Sequence, residues 1–291
     1  MNANELTFGV EIETLAGQDA RNAGLRVGAY GSPVQVPYLP HGWRCKGDGS
    51  ISCNNSNQNA CEVISPILRG AAGMAQVVAA CQALREKGHI VNTTCGVHVH
   101  IGWDQSRSEV NAESLKRLIT IVAYLEKGLY AITGTKARER GRYSKPVRQY
   151  LRPTQVQRHA TSDRYHALNL ANIRPGGKQT VEFRIFSGSI SATKIVGWIQ
   201  VCLGIVERAQ NGKRCPAWSP KPLQGGWRKK GEGAGECERL LGYLAWAEAY
   251  ARRHGGNKYG LIAPDLIPAD TIMAEFRRLA KRYDSEARDE L

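Results

Sequence analysis

The sequence contains no apolar run that approaches the roughly 20 residues a membrane-spanning helix needs. Its first residues, Met1–Glu5, are polar, and we therefore expect no secretion signal. It also lacks a GxxxxGK[ST] phosphate loop and any dinucleotide-binding fingerprint after a predicted strand. These absences predict a cytoplasmic protein without a membrane partner. If it binds ATP, it does so through metal ions and arginine.

Cysteine is present but not in a pattern that suggests cross-links or a structural metal. Eight cysteines in a chain of this size without a secretion signal indicate the reduced thiols of a cytosolic protein. Cys45, Cys53 and Cys61 are evenly spaced, with seven residues in each gap. A structural zinc site uses short paired spacing instead, so these positions do not predict one.

Acidic residues are in deficit, because 40 Lys and Arg face 26 Asp and Glu, for a net charge of +14. This balance favours an anionic partner, whether a nucleotide, a nucleic acid or an acidic protein surface, and it does not choose among them. The excess clusters in Lys136–Arg152 and Lys213–Lys230. Such clusters indicate local binding sites more than a uniformly basic surface.

Predicted strands and helices mix without strict βαβ alternation, which favours an α+β fold with a largely antiparallel, curved sheet. We expect strands at Leu6–Thr14, Cys61–Pro66, Gly96–Ile101, Arg164–Arg174 and Gln179–Phe186. The last two of these strands are expected to form a hairpin. We expect helices at Gly73–Lys87, after Asn111, from Ser191 to Ala209, at Glu236–Arg253 and at Asp270–Tyr283. We divide the chain into a core (1–210), a basic Gly/Pro-rich loop or linker (211–235) and C-terminal helices packed on the core (236–291).

Three of these strands alternate apolar residues with side chains that bind metals or phosphate. The polar positions are Glu11 and Glu13, His98 and His100, and Glu182 and Arg184; the apolar positions are Phe8, Val10 and Ile12, Val97, Val99 and Ile101, and Val181, Phe183 and Ile185. Because neighbouring side chains on a strand point to opposite faces, each strand presents its polar set on one face. Solvent-facing strand positions more often carry Thr, Ser, Lys or Gln.

Each motif by itself has an ordinary explanation. Glu-x-Glu is common on surface strands, His-x-His also fits cupins, metallohydrolases and histidine-triad enzymes, and Glu-x-Arg is usually a solvated pair. Asp48-Gly49-Ser50 is explained as a turn. The conjunction of all three strand motifs is what favours a functional site.

If Glu11, Glu13, Glu62, Glu182 and His98 line one cavity, their charges must be compensated. Two carboxylates about 5 Å apart repel by about 3 kcal/mol at an effective dielectric constant near 20. Oxygen ligands with an occasional imidazole suit Mg²⁺ or Mn²⁺, whereas the thiolates that favour zinc are missing from these strands. Arg184, on the same face as Glu182, adds a fixed positive charge of the kind used to handle phosphate.

Five segments occur in an order that resembles a known family. They are Phe8-Gly9-Val10-Glu11-Ile12-Glu13, Asp48-Gly49-Ser50, Glu62-Val63-Ile64-Ser65-Pro66, Cys95-Gly96-Val97-His98-Val99-His100-Ile101, and Asn169 with Thr180-Val181-Glu182-Phe183-Arg184-Ile185-Phe186. Over roughly residues 6–200 the chain resembles the amidoligases, a branch of the glutamine synthetase-like carboxylate–amine ligases. The region after about residue 210 is outside the resemblance.

The resemblance implies a funnel-shaped antiparallel sheet with flanking helices that holds ATP and two or more Mg²⁺ ions, with Mn²⁺ possible. It implies one metal held by Glu13 and Glu62, with Asp48 as a weaker candidate, and another held by Glu11, His98 and Glu182. It implies catalytic roles for Arg184, Glu62 and Glu182, and nucleotide contacts from His100, Arg184 and Asn169. The implied reaction joins a carboxylate to an amine through an acyl phosphate.

Two other functions remain open from the sequence. One is a phosphotransferase of the same fold, which would stop before the amide is made. The other is a nucleic-acid-binding protein, for which the net charge and the Trp218/Trp227 segment are suitable. A protein that only binds nucleic acid gains nothing from several carboxylates that point into its binding cavity, because carboxylates repel phosphate. The ligase substrates are expected to be a small molecule, a peptide or a modified nucleic acid.

Overall fold

The computed structural model describes residues 1–150, 154, 164–174, 176–212 and 232–286. Its strands form one eight-stranded sheet with the order β2-β3-β4-β1-β6-β8-β7, and β5 pairs with β1. In chain order they are β1 (Thr7–Ala16), β2 (Val34–Gln35), β3 (Arg44–Lys46), β4 (Asn59–Ile64), β5 (Leu68–Arg69), β6 (Gly96–Gly102), β7 (Leu168–Asn169) and β8 (Thr180–Ser187). Every pair of these described strands is antiparallel, so the predicted α+β class is confirmed.

Helices flank this sheet. They are α1 (Gln18–Asn22), α2 (Gly70–Glu86), α3 (Ala112–Ala131), α4 (Ala137–Arg140), α5 (Val147–Tyr150), α6 (Ala192–Asn211), α7 (Glu232–Tyr243), α8 (Glu248–Arg253) and α9 (Ala269–Ser285), with a 3₁₀ turn at Ala171–Ile173. None of the helices that the structure describes is both long and apolar enough to span a bilayer. The predicted N-cap is confirmed, since the Asn111 side chain accepts hydrogen bonds from the backbone of Glu113 and Ser114 at 3.0 Å.

The core lies between the apolar face of the sheet and the helices. Val99 and Phe183 are fully buried, as the alternation predicts, and α6 packs on β6 while α3 packs on β8. Helices α7 and α9 pack in turn against α3. This leaves the other face of the central strands free to line a cavity.

Two predicted elements differ from the structure. The strand predicted at Arg164–Arg174 is reduced to Leu168–Asn169, because the chain turns into the 3₁₀ helix directly afterwards; it does pair with β8, as expected of a hairpin. The helix predicted at Glu236–Arg253 is broken after Tyr243.

The break in this predicted helix is a Schellman motif. Ala245 has a φ of 58°, the Trp246 amide donates to the Leu241 carbonyl, and the Ala245 amide donates to the Gly242 carbonyl. Glycine normally marks such a left-handed position. Alanine occupies it here, which is why the sequence carried no signal for the helix end.

Several expectations concern residues outside the described ranges. These include Pro175 of the predicted hairpin turn, Arg152, and residues 213–231, which contain the second basic cluster with Trp218 and Trp227. The division into a core, a linker and C-terminal helices stays a prediction.

Candidate active site

The polar side chains of the central strands meet because the strand register sets them side by side. Glu11 lies opposite His98, Glu13 opposite Glu62, and His100 opposite Glu182. Two further pairs extend these rows outward, with Lys46 opposite Glu62 and Asn169 opposite Glu182. Directly opposed side chains on antiparallel strands have Cβ atoms about 4.5–5.5 Å apart, so groups remote in sequence come into contact.

Glu11 and Glu182 surround the two imidazoles. His98 Nδ1 lies 3.3 Å from Glu11 Oε2 and 3.8 Å from Glu182 Oε1, and His100 Nε2 lies 3.3 Å from Glu11 Oε1. One ligand atom from each of Glu11, His100 and Glu182 falls within 4.8 Å of the others. These three residues form a compact set of potential metal ligands; the sequence prediction placed His98 in this set and His100 at the nucleotide.

Glu13 and Glu62 form a second acidic pair on adjacent strands. Glu62 Oε2 contacts Lys46 Nζ at 3.1 Å, and Glu13 Oε2 accepts a hydrogen bond of 2.6 Å from the Gly96 amide. Oε1 of Glu13 lies 3.5 Å from His98 Nε2, so His98 links the two acidic groups. Like charges in directly opposite positions destabilise a sheet, and Lys46 places a positive charge against Glu62 of this pair.

Arg184 lies at the edge of the acidic set and is positioned by a β-bulge. The register of β6 and β8 shifts by one residue there, so that Arg184 and Ile185 together oppose His98. Arg184 Nη1 contacts Glu182 Oε1 at 2.5 Å, and Arg138 Nη2 donates to the Arg184 carbonyl at 2.6 Å. The bulge also buries Phe186, which strict alternation would place on the polar face.

Asn169 and Asp48 complete the set of predicted side chains. Asn169 Nδ2 donates to Glu182 Oε2 at 2.7 Å, which fixes that carboxylate from the side opposite Arg184. Asp48 Oδ1 accepts hydrogen bonds from the amide and hydroxyl of Ser50, both at 2.7 Å. The turn that the sequence suggested is therefore formed, and it leaves Asp48 at the wall of the same cavity.

The pKa values of these groups diverge although they share one site. Burial would raise the pKa of Glu11, but hydrogen bonds and charges from His100 and His98 outweigh it and hold that pKa well below its usual value. The same balance lowers the pKa of Glu182, where the charges of His100 and Arg184 outweigh burial. Burial, with the charge of Glu11 adding to it, raises the pKa of Glu62 to about 9 even though Lys46 opposes the rise.

These residues line a cavity of about 910 Å³, which is at the upper end of the range for ligand sites. Five carboxylates and seven Lys or Arg side chains line it, so a positive surplus exists before any cation binds. The donor set fits a hard divalent cation, because it offers carboxylates and imidazoles and none of its described residues is a cysteine. Glu62 Oε1 is buried without a hydrogen-bond partner among the described residues, which leaves it available to a ligand.

Every predicted site residue lines this cavity: Glu11, Glu13, Glu62, His98, His100, Asn169, Glu182 and Arg184. The roles assigned to them stay predictions. The sequence prediction did not include Lys46, Tyr30 and Arg164 among the site residues, although they also line the cavity, and it included Arg138 only within the basic cluster Lys136–Arg152. The position of Lys46, two residues before Asp48, is the feature of the sequence that could have pointed to it.

A family model described as a putative amidoligase enzyme matches residues 4–161 and 148–206. All the residues that line the cavity fall within these matched segments. A sequence comparison with curated proteins finds no match.

Several solved structures are similar to the chain at low sequence identity. One is a complex of GmaS with ADP (TM-score 0.44, 12% identity, 98% of this chain and 70% of that chain). Another is the complex between the prokaryotic ubiquitin-like protein Pup and its ligase PafA (TM-score 0.47, 11% identity, 100% and 66%). A third is a bifunctional glutathione synthetase from Pasteurella multocida (TM-score 0.41, 11% identity, 98% and 53%). The chain spans about two thirds of the first two structures and about half of the third.

Proposed function

The chain belongs to the putative amidoligase enzyme family, which makes it a carbon–nitrogen ligase, and we propose that it joins a carboxylate to an amine with ATP and Mg²⁺. The observation that carries this proposal is the compact set of Glu11, His100 and Glu182 beside Arg184. Divalent-cation ligands next to a guanidinium group match what phosphoryl transfer demands.

In the proposed reaction the substrate carboxylate attacks the γ-phosphorus of ATP, which forms an acyl phosphate and releases ADP. The nitrogen of the amine then attacks the acyl carbon, an amide forms and phosphate leaves. Glu11, His100 and Glu182 would hold one divalent cation, and Glu13, Glu62 and His98 are the candidates for a second. When bound, these cations neutralise phosphate charge.

Arg184 would stabilise the transferred phosphoryl group in this proposal. Its Nη1 is held by Glu182, and its Nε is buried without a hydrogen-bond partner among the described residues. A preorganised guanidinium costs little reorganisation when charge develops on the phosphoryl oxygens. Arg138, which donates to the Arg184 carbonyl, would position the strand that carries it.

Glu62 would accept a proton from the attacking amine in the second half of the reaction. Lys46 holds one of its oxygens, while Oε1 is buried without a hydrogen-bond partner in the described chain. A bound cation would keep Glu62 in its charged form, and in that form the carboxylate can accept a proton. A phosphotransferase would not need a group that accepts a proton from an amine. Its product would be a phosphorylated acid and not an amide, so the products distinguish the two reactions.

The test is an ADP-release screen across acids and amines, with mass spectrometry of the products. We expect ADP release that requires both substrates and Mg²⁺ and is abolished by EDTA, together with an amide product. Arg184→Lys keeps the charge but loses the planar fork, and should lower kcat by about 100-fold or more with little change in nucleotide affinity.

Arg85→Lys is the matched control, since Arg85 is exposed on α2 and does not line the cavity. A phosphorylated acid without an amide would favour the phosphotransferase. Near-parental amide formation in Arg184→Lys would remove Arg184 from the mechanism.

A further inference from the structure

A row of tyrosine and basic side chains crosses the cavity between the two ends of the sheet. Arg164 precedes β7 at one end of the strand order, and Tyr30 precedes β2 at the other. Arg164 Nη1 nevertheless donates to the Tyr30 hydroxyl at 3.2 Å. Both residues line the cavity, so this contact joins the sheet ends across it.

The contact belongs to a longer series. Lys46 Nζ lies 4.5 Å from the centre of the Tyr30 ring, the Arg164 guanidinium lies 5.3 Å from the Tyr165 ring, and the Arg142 guanidinium lies 4.8 Å from the Tyr143 ring. Tyr143 and Tyr165 meet edge to face, with ring centres 5.3 Å apart. We name this series the tyrosine–cation bridge: Tyr30, Lys46, Arg142, Tyr143, Arg164 and Tyr165.

The inner end of the bridge reaches the proposed reaction centre, because Lys46 contacts Glu62. Its outer cations, Arg142 and Arg164, contact tyrosine hydroxyls among the described residues. Arg142 donates to the Tyr143 hydroxyl at 2.7 Å and Arg164 donates to Tyr30, and neither guanidinium has a carboxylate partner among the described residues. Each guanidinium carries five N–H donors, so most of them stay available to a ligand.

We propose that the tyrosine–cation bridge binds the carboxylate substrate, and that this substrate is an acidic peptide. The inference rests on the proposed function for the identity of the reaction centre. A carboxylate is the planar, two-oxygen partner that a guanidinium binds best. The Tyr143 and Tyr30 hydroxyls accept hydrogen bonds from Arg142 and Arg164, and each can donate its own proton to the peptide.

The bridge contains three basic side chains, and a peptide with several acidic residues can pair with more of them than a small dicarboxylate can. Arg142 lies over the Tyr143 ring and Arg164 over the Tyr165 ring, and these two rings pack edge to face. In an extended peptide the side chains of residues i and i+2 share a face and lie about 6.6–6.8 Å apart. An extended peptide with acidic residues at alternate positions therefore presents a row of carboxylates on one face.

A nucleic acid fits the bridge less well. Single-stranded nucleic acids are held by bases stacked on open aromatic faces. Each tyrosine of the bridge already has a basic side chain over its ring, and two of them are packed edge to face. The cations near β8, among them Arg184 and Lys178, remain for the nucleotide phosphates.

The experiment is calorimetric binding of glutamate, triglutamate and pentaglutamate, with Mg²⁺ present and no nucleotide. We expect affinity to rise with peptide length and to fall as NaCl is added. Arg142→Gln combined with Arg164→Gln should weaken pentaglutamate binding about tenfold and leave ATP binding unchanged. Arg69→Gln combined with Arg85→Gln is the control, since both residues are exposed and do not line the cavity.

Equal affinity for glutamate and pentaglutamate, or equal binding by the two double variants, would overturn the proposal. Tighter binding of a single-stranded oligonucleotide of matched charge, weakened by the same double variant, would also overturn it in favour of nucleic acid. The readout contains no nucleotide and no catalysis. A failure of ATP-dependent ligation would therefore reject the proposed function without deciding whether the bridge binds an acidic peptide.

Discussion

Glu62 is the residue at which the electrostatic conflict of the site is greatest. It lies opposite Glu13, contacts Lys46 through one oxygen, and has a second buried oxygen without a partner among the described residues. Burial and the charge of Glu11 raise its pKa to about 9. A carboxylate in this position favours its protonated form unless a further cation is bound.

Glu62→Gln should therefore stabilise the metal-free protein at neutral pH. The pKa of Glu62 is higher in the folded than in the unfolded state, so the folded state binds the extra proton. Stability is then lost as pH rises from about 4.5 towards 9. Because glutamine carries no titrating proton, we expect a gain of about 1–3 kcal/mol in the free energy of unfolding at pH 7 in EDTA, and none near pH 4.

Urea denaturation at the two pH values measures this gain. Glu113→Gln is the control, because Glu113 is exposed and pairs only with Lys116 in the described chain; it should change stability by less than about 0.5 kcal/mol. A loss of stability in Glu62→Gln at pH 7 would show that Lys46 holds Glu62 charged.

At the scale of elements, the site depends on how closely α7 approaches α3, because α3 supports β8 from beneath. Gly128 in α3 lies at a close approach of the two helices. A Cβ atom there would lie 2.6 Å from the Glu236 carbonyl oxygen of α7, a backbone atom that cannot move without the helix. Glycine is required here because there is no room for a side chain, and not because of its backbone angles.

Gly128→Ala should destabilise the protein by about 1–3 kcal/mol, because the added methyl group forces α7 away from α3. Gly235→Ala is the matched control within α7, since nothing lies within 4 Å of its added Cβ. That substitution should gain roughly 0.5–1 kcal/mol from helix propensity. Chemical denaturation compares the two, and a neutral Gly128→Ala would mean that the helices are not in close contact.

At the scale of the whole molecule, the site is formed by residues from distant parts of the chain. Glu11 and Glu13 come from β1, Glu62 from β4, His98 and His100 from β6, and Glu182 from β8. A cation held between these strands would bind the folded state and not the unfolded chain. Its binding free energy would then add to the stability of the fold.

Mg²⁺ should accordingly raise the melting temperature of the protein. At a concentration of 100 Kd the stabilisation is about 2.7 kcal/mol, or roughly 5 °C in melting temperature. Glu182→Gln should reduce this shift, because it removes a charged ligand that β8 contributes to the compact set. Thermal denaturation with Mg²⁺ or EDTA measures the shift, and the exposed Glu113→Gln should respond like the parent. No shift in the parent, or the same shift in Glu182→Gln, would contradict a shared cation site.

The sequence by itself determined the features that depend on neighbouring residues. Alternation placed Glu11, His98 and Glu182 on one face of their strands because a strand has a period of two residues. The helix start at Asn111 was predictable because an N-cap side chain contacts backbone amides no more than three residues later. Tertiary structure decided the rest: a bulge set the register at Arg184, pairing brought Lys46 to Glu62, and closure of the sheet joined Arg164 to Tyr30. These contacts depend on which strands pair and in what register, and a local pattern does not encode register between strands remote in sequence.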